Sequence, residues 1–457
     1  MAKNDERLGT APLGKLMLSM ALPTVTAQII NVLYNIVDRI YIGHIEGYGQ
    51  LALTGVGVTF PIITIISAFS AFAGMGGAPL ASIQLGKKNY DKAEKILGVS
   101  AIMLLFFSAA LTIFFMTFRT PILYAFGASH NTITYAQQYI TIYLLGTVFV
   151  QLALGLNTYI SGQGNTKIAM LSVLIGAVTN IILDPIFIFG FHMGVRGAAL
   201  ATIISQALSA AWVVLFLTSE KSVIRICRKN IRFDKAVIKN IAGLGISPFI
   251  MQSTESLVMI TLNSGLQKYG GDLYVGTMSI MTSVMQLVLI PPQGISPGVQ
   301  LIMSYNYGAG DLKRVKGVFF RMVGACLAMT IIFGGIAVFR PEIYVSLFSN
   351  DADLIALTCR YMPVYFLGIM VFGIQTSCQT TFLSLGQAKA SLIIALLRKV
   401  ILLVPLAIIL PKFMGVAGIY RAEPLADFTS VTVSVILFVV TARKILRNDK
   451  KSDMISQ

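Results

Sequence analysis

Two carboxylates and an amide lie inside apolar runs of this sequence, and their spacing limits what they can do. Asn180 and Asp184 are four residues apart in NIILDPIFIFG, so they share one face of a predicted helix. Pro185 has no amide hydrogen, so the helix should lose a hydrogen bond and bend there. The second acid, Asp38, lies in another apolar run with Tyr34 one turn before it. Acids in such runs usually face a bundle interior or a wet cavity and indicate a functional site.

The oxygen atoms of these residues suit two kinds of chemistry. Thr202 lies in a further apolar run and adds a hydroxyl to the amide of Asn180 and the carboxylates of Asp38 and Asp184. Such hard oxygens are the ligands that hard cations prefer. Alternatively, two neighbouring carboxylates in a low dielectric hold one shared proton near neutral pH. Either arrangement makes an ion-coupling site, whereas in a plainer interpretation one acid pairs with Arg39 or caps a broken helix.

The composition indicates that these residues lie in a membrane. The 457 residues are 56% hydrophobic and 12% charged, against about 45–50% and about 25% in soluble proteins. The mean hydropathy is +0.78. The apolar segments have the length of about 20 residues that crosses hydrocarbon as a helix, and they lack the alternation of membrane strands. We therefore predict an all-α polytopic membrane protein.

Twelve transmembrane helices are predicted, six in each half of the chain. In the N-terminal half they lie near 15–43, 51–85, 93–118, 131–160, 168–189 and 194–217. In the C-terminal half they lie near 240–267, 272–303, 317–339, 353–383, 390–410 and 415–442. The predicted domains are an N-lobe (1–217), a basic linker (218–239), a C-lobe (240–446) and a tail (447–457).

The net charge of +16 is carried mainly by the connections. Lysine and arginine cluster in both termini and in the second-to-third, sixth-to-seventh and eighth-to-ninth connections. The positive-inside rule places these segments and both termini in the cytoplasm of a cell that carries the chain in its cytoplasmic membrane. The charge thus requires no nucleic-acid partner. The N-terminal segment has no small-residue cleavage site and is expected to be retained, and the four widely spaced cysteines predict neither disulfides nor a metal site.

The two halves repeat one another with an offset of about 222 residues. QYITIYLLG (138–146) matches RYMPVYFLG (360–368), and GVRGAA (194–199) matches GVAGIY (415–420). An even number of spans in each half relates the halves by an axis along the membrane normal, as in parallel-repeat transporters. This predicts two six-helix lobes around a central cavity, with alternating access. Because duplication supplies both lobes, a monomer can work.

The C-terminal half does not repeat the acid pair. The positions that match the two N-terminal acids fall near Asn263 and Leu406. The charges it carries instead are Glu255 in the seventh span, Arg398 and Lys399 in the eleventh, and Glu423 and Asp427 in the twelfth. We predict structural ion pairs between Arg398 and the twelfth-span acids, because buried charges persist mainly when paired. Glu255 has no obvious local partner and is a candidate for binding a cationic substrate or a second proton.

Several other polar side chains are weaker candidates for a substrate cavity: Tyr34, Tyr139, Asn157, Gln293 and Tyr361. Each is equally well interpreted as an interhelical hydrogen-bond partner. The 20 methionines and 27 phenylalanines fit an adaptable apolar pocket, and also ordinary packing. PPQGISPG (291–298) predicts a break or kink in the eighth span. Enzyme chemistry is not supported, since the sequence has no H-E-x-x-H, G-x-S-x-G or P-loop motif.

Taken together, these features resemble the multidrug and toxic compound extrusion (MATE) family, nearest to its bacterial MepA-like and DinF-like subgroup. The resemblance covers essentially the whole chain and is carried by NVLYNIVDRIYIG, NIILDPIFIFG, GAALATIIS and GVAGIYRAEPLADF. It implies secondary antiport, with efflux of organic cations in exchange for Na⁺ or H⁺ and no cofactor besides that ion. A related alternative is a flippase for lipid-linked oligosaccharides, which would need a cation-lined cavity, and an intramembrane enzyme is a third, less favoured class.

The resemblance also implies roles for single residues. The N-lobe ion site of the family corresponds here to Asp38, Asn180 and Asp184, with the backbone carbonyl of Ala198 and the hydroxyl of Thr202. Tyr34, Tyr139 and Asn157 match polar residues that line the cavity of that lobe. Another branch of the family uses a seventh-span glutamate with a tenth-span aspartate. Glu255 lies at or beside the first position, but 359–382 contains no acid, so a C-lobe coupling site of that kind is not expected.

Overall fold

The fold is known from a computed structural model, which describes residues 3–348 and 352–453. Within these ranges the chain forms helices joined by short connections. The N-terminal half consists of α1 (Lys3–Thr10), α2 (Leu13–Gly43), α3 (Gly49–Gly86), α4 (Tyr90–Ala125), α5 (Ile133–Leu145), α6 (Thr147–Gly162), α7 (Thr166–Pro185) and α8 (Val195–Thr218). A π-helical turn follows α7 at Ile186–Gly190, and the linker contains a 3₁₀ turn at Arg228–Asn230.

The C-terminal half has a similar succession of long helices, with three additional short ones. It consists of α9 (Lys235–Gly270), α10 (Asp272–Gly308), α11 (Leu312–Phe339), α12 (Glu342–Val345), α13 (Ala352–Phe366), α14 (Ile369–Ser384), α15 (Ala388–Leu396), α16 (Val404–Ile409), α17 (Pro411–Met414) and α18 (Val416–Asp453). A second π-helical segment, Leu397–Leu403, joins α15 to α16.

The helices account for all twelve predicted spans. Nine helices in the described part are long and apolar enough to cross a membrane, and two bent pairs raise the number to eleven. The bent pairs are α5–α6 and α13–α14, with angles of 59° and 43°. The remaining predicted span falls on α9, which is 36 residues long but carries a polar stretch, QSTE, at 252–255 and is not among these eleven. The predicted class, an all-α polytopic membrane protein with two repeated six-helix lobes, is confirmed.

The hydrogen bonds repeat with the offset found in the sequence. The Ser82 hydroxyl donates to the carbonyl of Gly162 at 3.1 Å, and the Ser304 hydroxyl donates to the carbonyl of Ser384 at 3.0 Å. The side-chain amides of Asn157 and Gln379 donate to the carbonyls of Ala169 and Ser391, which are related by the same offset. The helix caps also correspond, since the backbone amides of Lys92 and Arg314 donate to the side chains of Asn89 and Asp311. The two halves therefore share equivalent hydrogen bonds as well as similar sequences.

The helices α3 and α10 cross where the repeat aligns Gly86 with Gly308. A Cβ atom on Gly86 would overlap the carbonyl oxygen of Tyr305, and one on Gly308 would overlap that of Ile83. Adding the offset of the repeat to the residues of one contact gives the residues of the other, so this crossing is locally twofold symmetric. Only glycine allows backbones to approach this closely.

Packing divides the chain into two compact units. The first consists of Met1–Ser253, Pro297–Val318 and Ser384–Gly386, and the second of Thr254–Ser296, Phe319–Leu383 and Gln387–Gln457. Each has its own buried apolar cluster. The lobe limits drawn from the sequence at 217 and 240 follow the charged linker instead, and they remain a prediction.

The eighth span is not broken at its prolines, and the kink predicted there stays a prediction. The helix α10 continues through Pro291, Pro292 and Pro297 as one element. Proline is tolerated inside membrane helices because its φ is already helical and because neighbouring groups can satisfy the freed carbonyls.

Candidate ion-coupling site in the N-terminal half

Asp184 lies where α7 changes its hydrogen-bond pattern. Pro185 keeps helical angles, with φ −64° and ψ −32°, so the helix does not stop there. In the π turn that follows, the amide of Phe191 donates to the carbonyl of Ile186 at 2.8 Å. Because proline lacks an amide hydrogen, one helical hydrogen bond is lost, and the helix continues as a wider turn instead of breaking. Such π turns are frequent at functional sites.

Asn180 connects this helix to α8. Its Nδ2 donates to Oδ1 of Asp184 at 3.2 Å and to the Thr202 hydroxyl at 3.5 Å. The Thr202 hydroxyl in turn donates to the carbonyl of Ala198 at 3.0 Å. All four residues are buried. The close approach of α8 depends on Gly197, because a Cβ atom there would lie 2.7 Å from the carbonyl carbon of Phe187.

The helix α2 supplies the second acid. The carboxyl group of Asp38 lies directly against that of Asp184, and Tyr34 lies one turn earlier, beside both acids. Tyr139 from α5 lies beside Thr202 and Asp38. The structure therefore brings together the residues that the sequence proposed for this cluster. Their role in ion binding stays a prediction.

The cluster has more acceptors than donors. Three buried oxygen atoms have no hydrogen-bond partner in the described part of the chain, namely Oδ1 of Asp38, Oδ2 of Asp184 and Oδ1 of Asn180. Arg39 instead stacks over the Phe60 ring at 4.7 Å from its centroid. Among described residues no salt bridge joins Arg39 to Asp38. Two facing carboxylates without a bonded base require a proton or a cation.

A small cavity extends from this cluster between α2, α6, α7 and α8. Its volume is about 40 Å³, which is room for a few water molecules. Tyr34, Asn157, Asn180 and Thr202 line it. Sequence reasoning missed five further polar lining residues: Asn31, Ser172, Ser205, Gln206 and Ser209. The available signal was their position on helix faces shared with Asp38, Asn180 or Thr202, but serines are common in membrane helices.

Asn157 fits both interpretations that its sequence position left open. Its Nδ2 donates to the carbonyl of Ala169 at 3.1 Å, which joins α6 to α7. Its Oδ1 is buried without a partner in the part of the chain that the structure describes, and the residue lines the cavity. Tyr139 is buried and stacks beside Tyr143 at 6.2 Å between ring centroids.

The candidates of the C-terminal half have other surroundings. Arg398 forms the predicted ion pairs, donating through Nε to Asp427 at 2.6 Å and through Nη2 to Glu423 at 2.8 Å. Glu255, which had no obvious local partner, pairs with Lys399 from a distant part of the sequence. Tyr361 stacks on Tyr420 at 4.5 Å, and Gln293 is exposed on α10. A role for Tyr361, Gln293 or Glu255 in a substrate cavity stays a prediction.

Comparison with known proteins identifies the family. The sequence model of the MatE family matches residues 23–186 and 248–409, which lie in the two repeated halves. The chain belongs to the MatE family. It is therefore a multi-pass membrane transporter, as its resemblance to that family predicted. The first matched segment contains Asp38, Asn180 and Asp184, and the second contains Glu255 and Arg398.

Named relatives and solved structures agree with this assignment. The chain is 26% identical over 439 residues to "Multidrug export protein MepA" of Staphylococcus haemolyticus (strain JCSC1435), covering 96% of each chain. It is 26% identical over 420 residues to the protein of the same name from Staphylococcus aureus (strain MSSA476), covering 91% of each. The MATE multidrug transporter DinF-BH, whose structure was solved as a complex, is 34% identical, with a TM-score of 0.88 over 96% of this chain and 98% of that one. A structure of MATE in the bent conformation, 21% identical, superposes with a TM-score of 0.90 over 99% of both chains and so supports the fold.

Proposed function

We propose that this chain is a secondary antiporter that exports organic, mostly cationic, compounds in exchange for Na⁺ or H⁺. The coupling ion binds between Asp38 and Asp184. The observation that carries this proposal is the pair of facing carboxylates with unpartnered oxygens and no bonded base among the described residues. The relatives named as multidrug export proteins and the multidrug transporter DinF-BH support the substrate class.

The oxygen atoms of five residues are available to the ion. They belong to the side chains of Asp38, Asn180, Asp184 and Thr202 and to the backbone of Ala198. This set suits Na⁺, which prefers hard oxygen ligands, while the two facing carboxyl groups suit a shared proton. In both cases the bound ion cancels a negative charge that would otherwise be buried unpaired. Asn180 orients Asp184 and keeps it beside Thr202.

Coupling requires that ion and drug act oppositely on one equilibrium. The ion enters from outside, joins α2 to α7 through the two acids, and favours the conformation that releases the drug outward. Release of the ion to the cytoplasm restores the negative pair, which favours binding of the next cationic drug. We further propose that both termini lie in the cytoplasm, that the chain resides in the cell membrane, and that it works as a monomer.

The test is efflux of a fluorescent organic cation from proteoliposomes under separately imposed Na⁺ and pH gradients. Export should follow one of the two gradients in the wild type and neither in Asp184→Asn. The matched control is Asp353→Asn, which removes an exposed acid at the start of α13 and should leave export unchanged. Undiminished gradient-driven export by Asp184→Asn would overturn the site, and a wild type that ignores both gradients would overturn antiport.

A further inference from the structure

We infer that the C-terminal half has a proton-binding site of its own, in which Asp427 holds one proton at neutral pH within the cluster of Arg398, Glu423 and Asp427. The sequence interpretation of this cluster was purely structural. Its charge balance and one unpartnered oxygen atom indicate more. Proton binding does not depend on the proposed transport function, whereas a role for it in coupling does.

The cluster is almost closed to its surroundings. The side chains of Arg398, Glu423 and Asp427 are 12%, 7% and 1% exposed. The guanidinium of Arg398 lies between the two acids and stacks over the Phe372 ring at 4.4 Å. The acids are four residues apart on α18, so one face of that helix presents both to Arg398.

The charges within the cluster do not balance. If all three groups are ionised, one guanidinium faces two carboxylates and the cluster keeps a net charge of −1. The neighbouring cation, Lys399, lies near Glu423 but is paired with Glu255, whose side chain is 66% exposed. Including the Lys399–Glu255 pair leaves the net charge of the group at −1. An uncompensated buried charge is strongly unfavourable, so the cluster requires one further positive charge.

Asp427 is the group best placed to carry it. Its Oδ1 accepts the hydrogen bond from Arg398, while its Oδ2 is buried without a partner in the described part of the chain. Ser430 lies on the same face of α18, one turn further, and its hydroxyl is also buried and unpartnered there. Tyr365 lies close enough to interact electrostatically with both acids, but its side chain is a neutral phenol. A proton on Oδ2 neutralises the cluster without disturbing the bond to Arg398.

A metal ion fits this site less well than a proton. The place between Glu423 and Asp427 is already occupied by the guanidinium, which bonds to one oxygen of each. A metal ion needs several oxygen ligands around one centre, whereas a proton needs only the single free oxygen of Asp427.

The position of the site suggests how it acts. Gly368, at the bend between α13 and α14, packs directly against the side chain of Asp427, and a Cβ atom there would lie 2.8 Å from Oδ2. Loss of the proton would place a negative charge against the backbone at this bend. Any movement of the bend would in turn change how well Asp427 retains its proton.

The test is infrared spectroscopy of the full-length protein in lipid vesicles, because a protonated carboxyl group has a carbonyl stretch that a carboxylate lacks. The starting protein is the double variant Asp38→Asn/Asp184→Asn, which removes the N-terminal acids from the spectrum. At neutral pH it should keep a protonated-carboxyl band that disappears when Asp427→Asn is added. By the same charge balance Glu423→Gln should also remove the band, because one acid then faces one guanidinium, so the matched control is the exposed Asp353→Asn, which should retain the band.

A second measurement covers the case in which the Asp427 variant does not fold. Carboxyl ¹³C-labelled aspartate is incorporated into the starting protein, and the band should shift with that label and not with labelled glutamate. A missing band, a band that follows only the glutamate label, or a band that survives Asp427→Asn would each overturn the proposal. These outcomes do not depend on export, so they remain distinct from failure of the antiport assay.

Discussion

The two halves of the chain each carry a cluster of buried charged residues on equivalent helices of the repeat, but the charges lie at different positions and are balanced differently. Aligned on GVRG and GVAG, Thr202 corresponds to Glu423 and Gln206 to Asp427. In the N-terminal half two acids face each other with no base bonded to them in the part of the chain described. In the C-terminal half Arg398 lies between the acids. In the proposed function the first cluster takes its cation from solution, whereas the second cluster contains most of the positive charge it needs.

This difference teaches that the repeat preserves backbone contacts while the polar side chains diverge. The helix crossing at Gly86 and Gly308 and the bonds from Ser82 and Ser304 are the same in both halves. The functional asymmetry comes from single side chains placed on these equivalent helices. We therefore propose that the coupling ion of the antiporter binds in the half without an internal guanidinium.

The largest expected effect follows from removing that guanidinium. Arg398→Leu leaves two buried acids unpaired and should lower the free energy of unfolding by about 3–5 kcal/mol. Thermal or denaturant unfolding in detergent measures this, with the exposed Lys412→Leu as the control. Adding Glu423→Gln to Arg398→Leu should recover part of the loss, since Glu423 is the acid that stays charged when Asp427 holds the proposed proton. Equal stability of Arg398→Leu and the control would mean that the internal cation is not needed.

Loss of the acid pair should affect transport more than stability. In Asp38→Asn the remaining acid, Asp184, can hold a proton of its own without a second carboxylate. Ion binding is then no longer shared between α2 and α7, so coupling of drug export to the ion gradient should disappear. Coupled sites typically change each other's binding affinity by about 5- to 150-fold. In this variant the ion should therefore no longer stimulate drug binding or export. The measurement is export of a fluorescent cation with and without the ion gradient. A variant that folds and keeps the stimulation would remove the contrast between the two halves.

A smaller effect distinguishes the two candidate ions. Thr202→Val removes one oxygen from the N-terminal cluster but keeps its shape. If Na⁺ binds there, the Na⁺ concentration for half-maximal export should rise about tenfold, matching the loss of a contact to a charged group of about 1.5 kcal/mol. If a proton binds instead, the pH profile should hardly move. Thr218→Val, at the exposed end of α8, is the control and should change neither curve.

The smallest expected effect concerns an ion pair between α4 and the basic linker, in which Asp234 lies outside the membrane spans. Lys95 lies 2.5 Å from Asp234, and this hydrogen bond holds the pKa of Asp234 below its usual value. Because the folded-state pKa is the lower one, the stabilisation is present at neutral pH and is lost as the pH falls through that pKa. Asp234→Asn should therefore lower the melting temperature slightly at neutral pH and not at all in acid. The reverse pH dependence would contradict this assignment.

The residues of the N-terminal cluster were predictable because helical spacing and membrane energetics act locally. Asn180 and Asp184 share a helix face whatever surrounds them, and an acid in an apolar span needs a polar neighbour. The five missed cavity residues show the limit of that reasoning. Serines such as Ser205 and Ser209 become part of a site only when other helices face them. The partner of Glu255 was likewise hidden, since Lys399 lies on a distant helix.

The sequence by itself determined the class of the fold, its twelve spans and its internal repeat, because hydrophobic length and residue periodicity act within single segments. It also placed polar groups at depths where they must find partners. Only the tertiary structure decided which partners they find: the contact between the two N-terminal acids, the position of Arg398 between Glu423 and Asp427, and the continuity of α10 through its prolines. Each of these depends on neighbouring helices supplying or withholding a charge or a hydrogen bond, and that cannot be read from one segment alone.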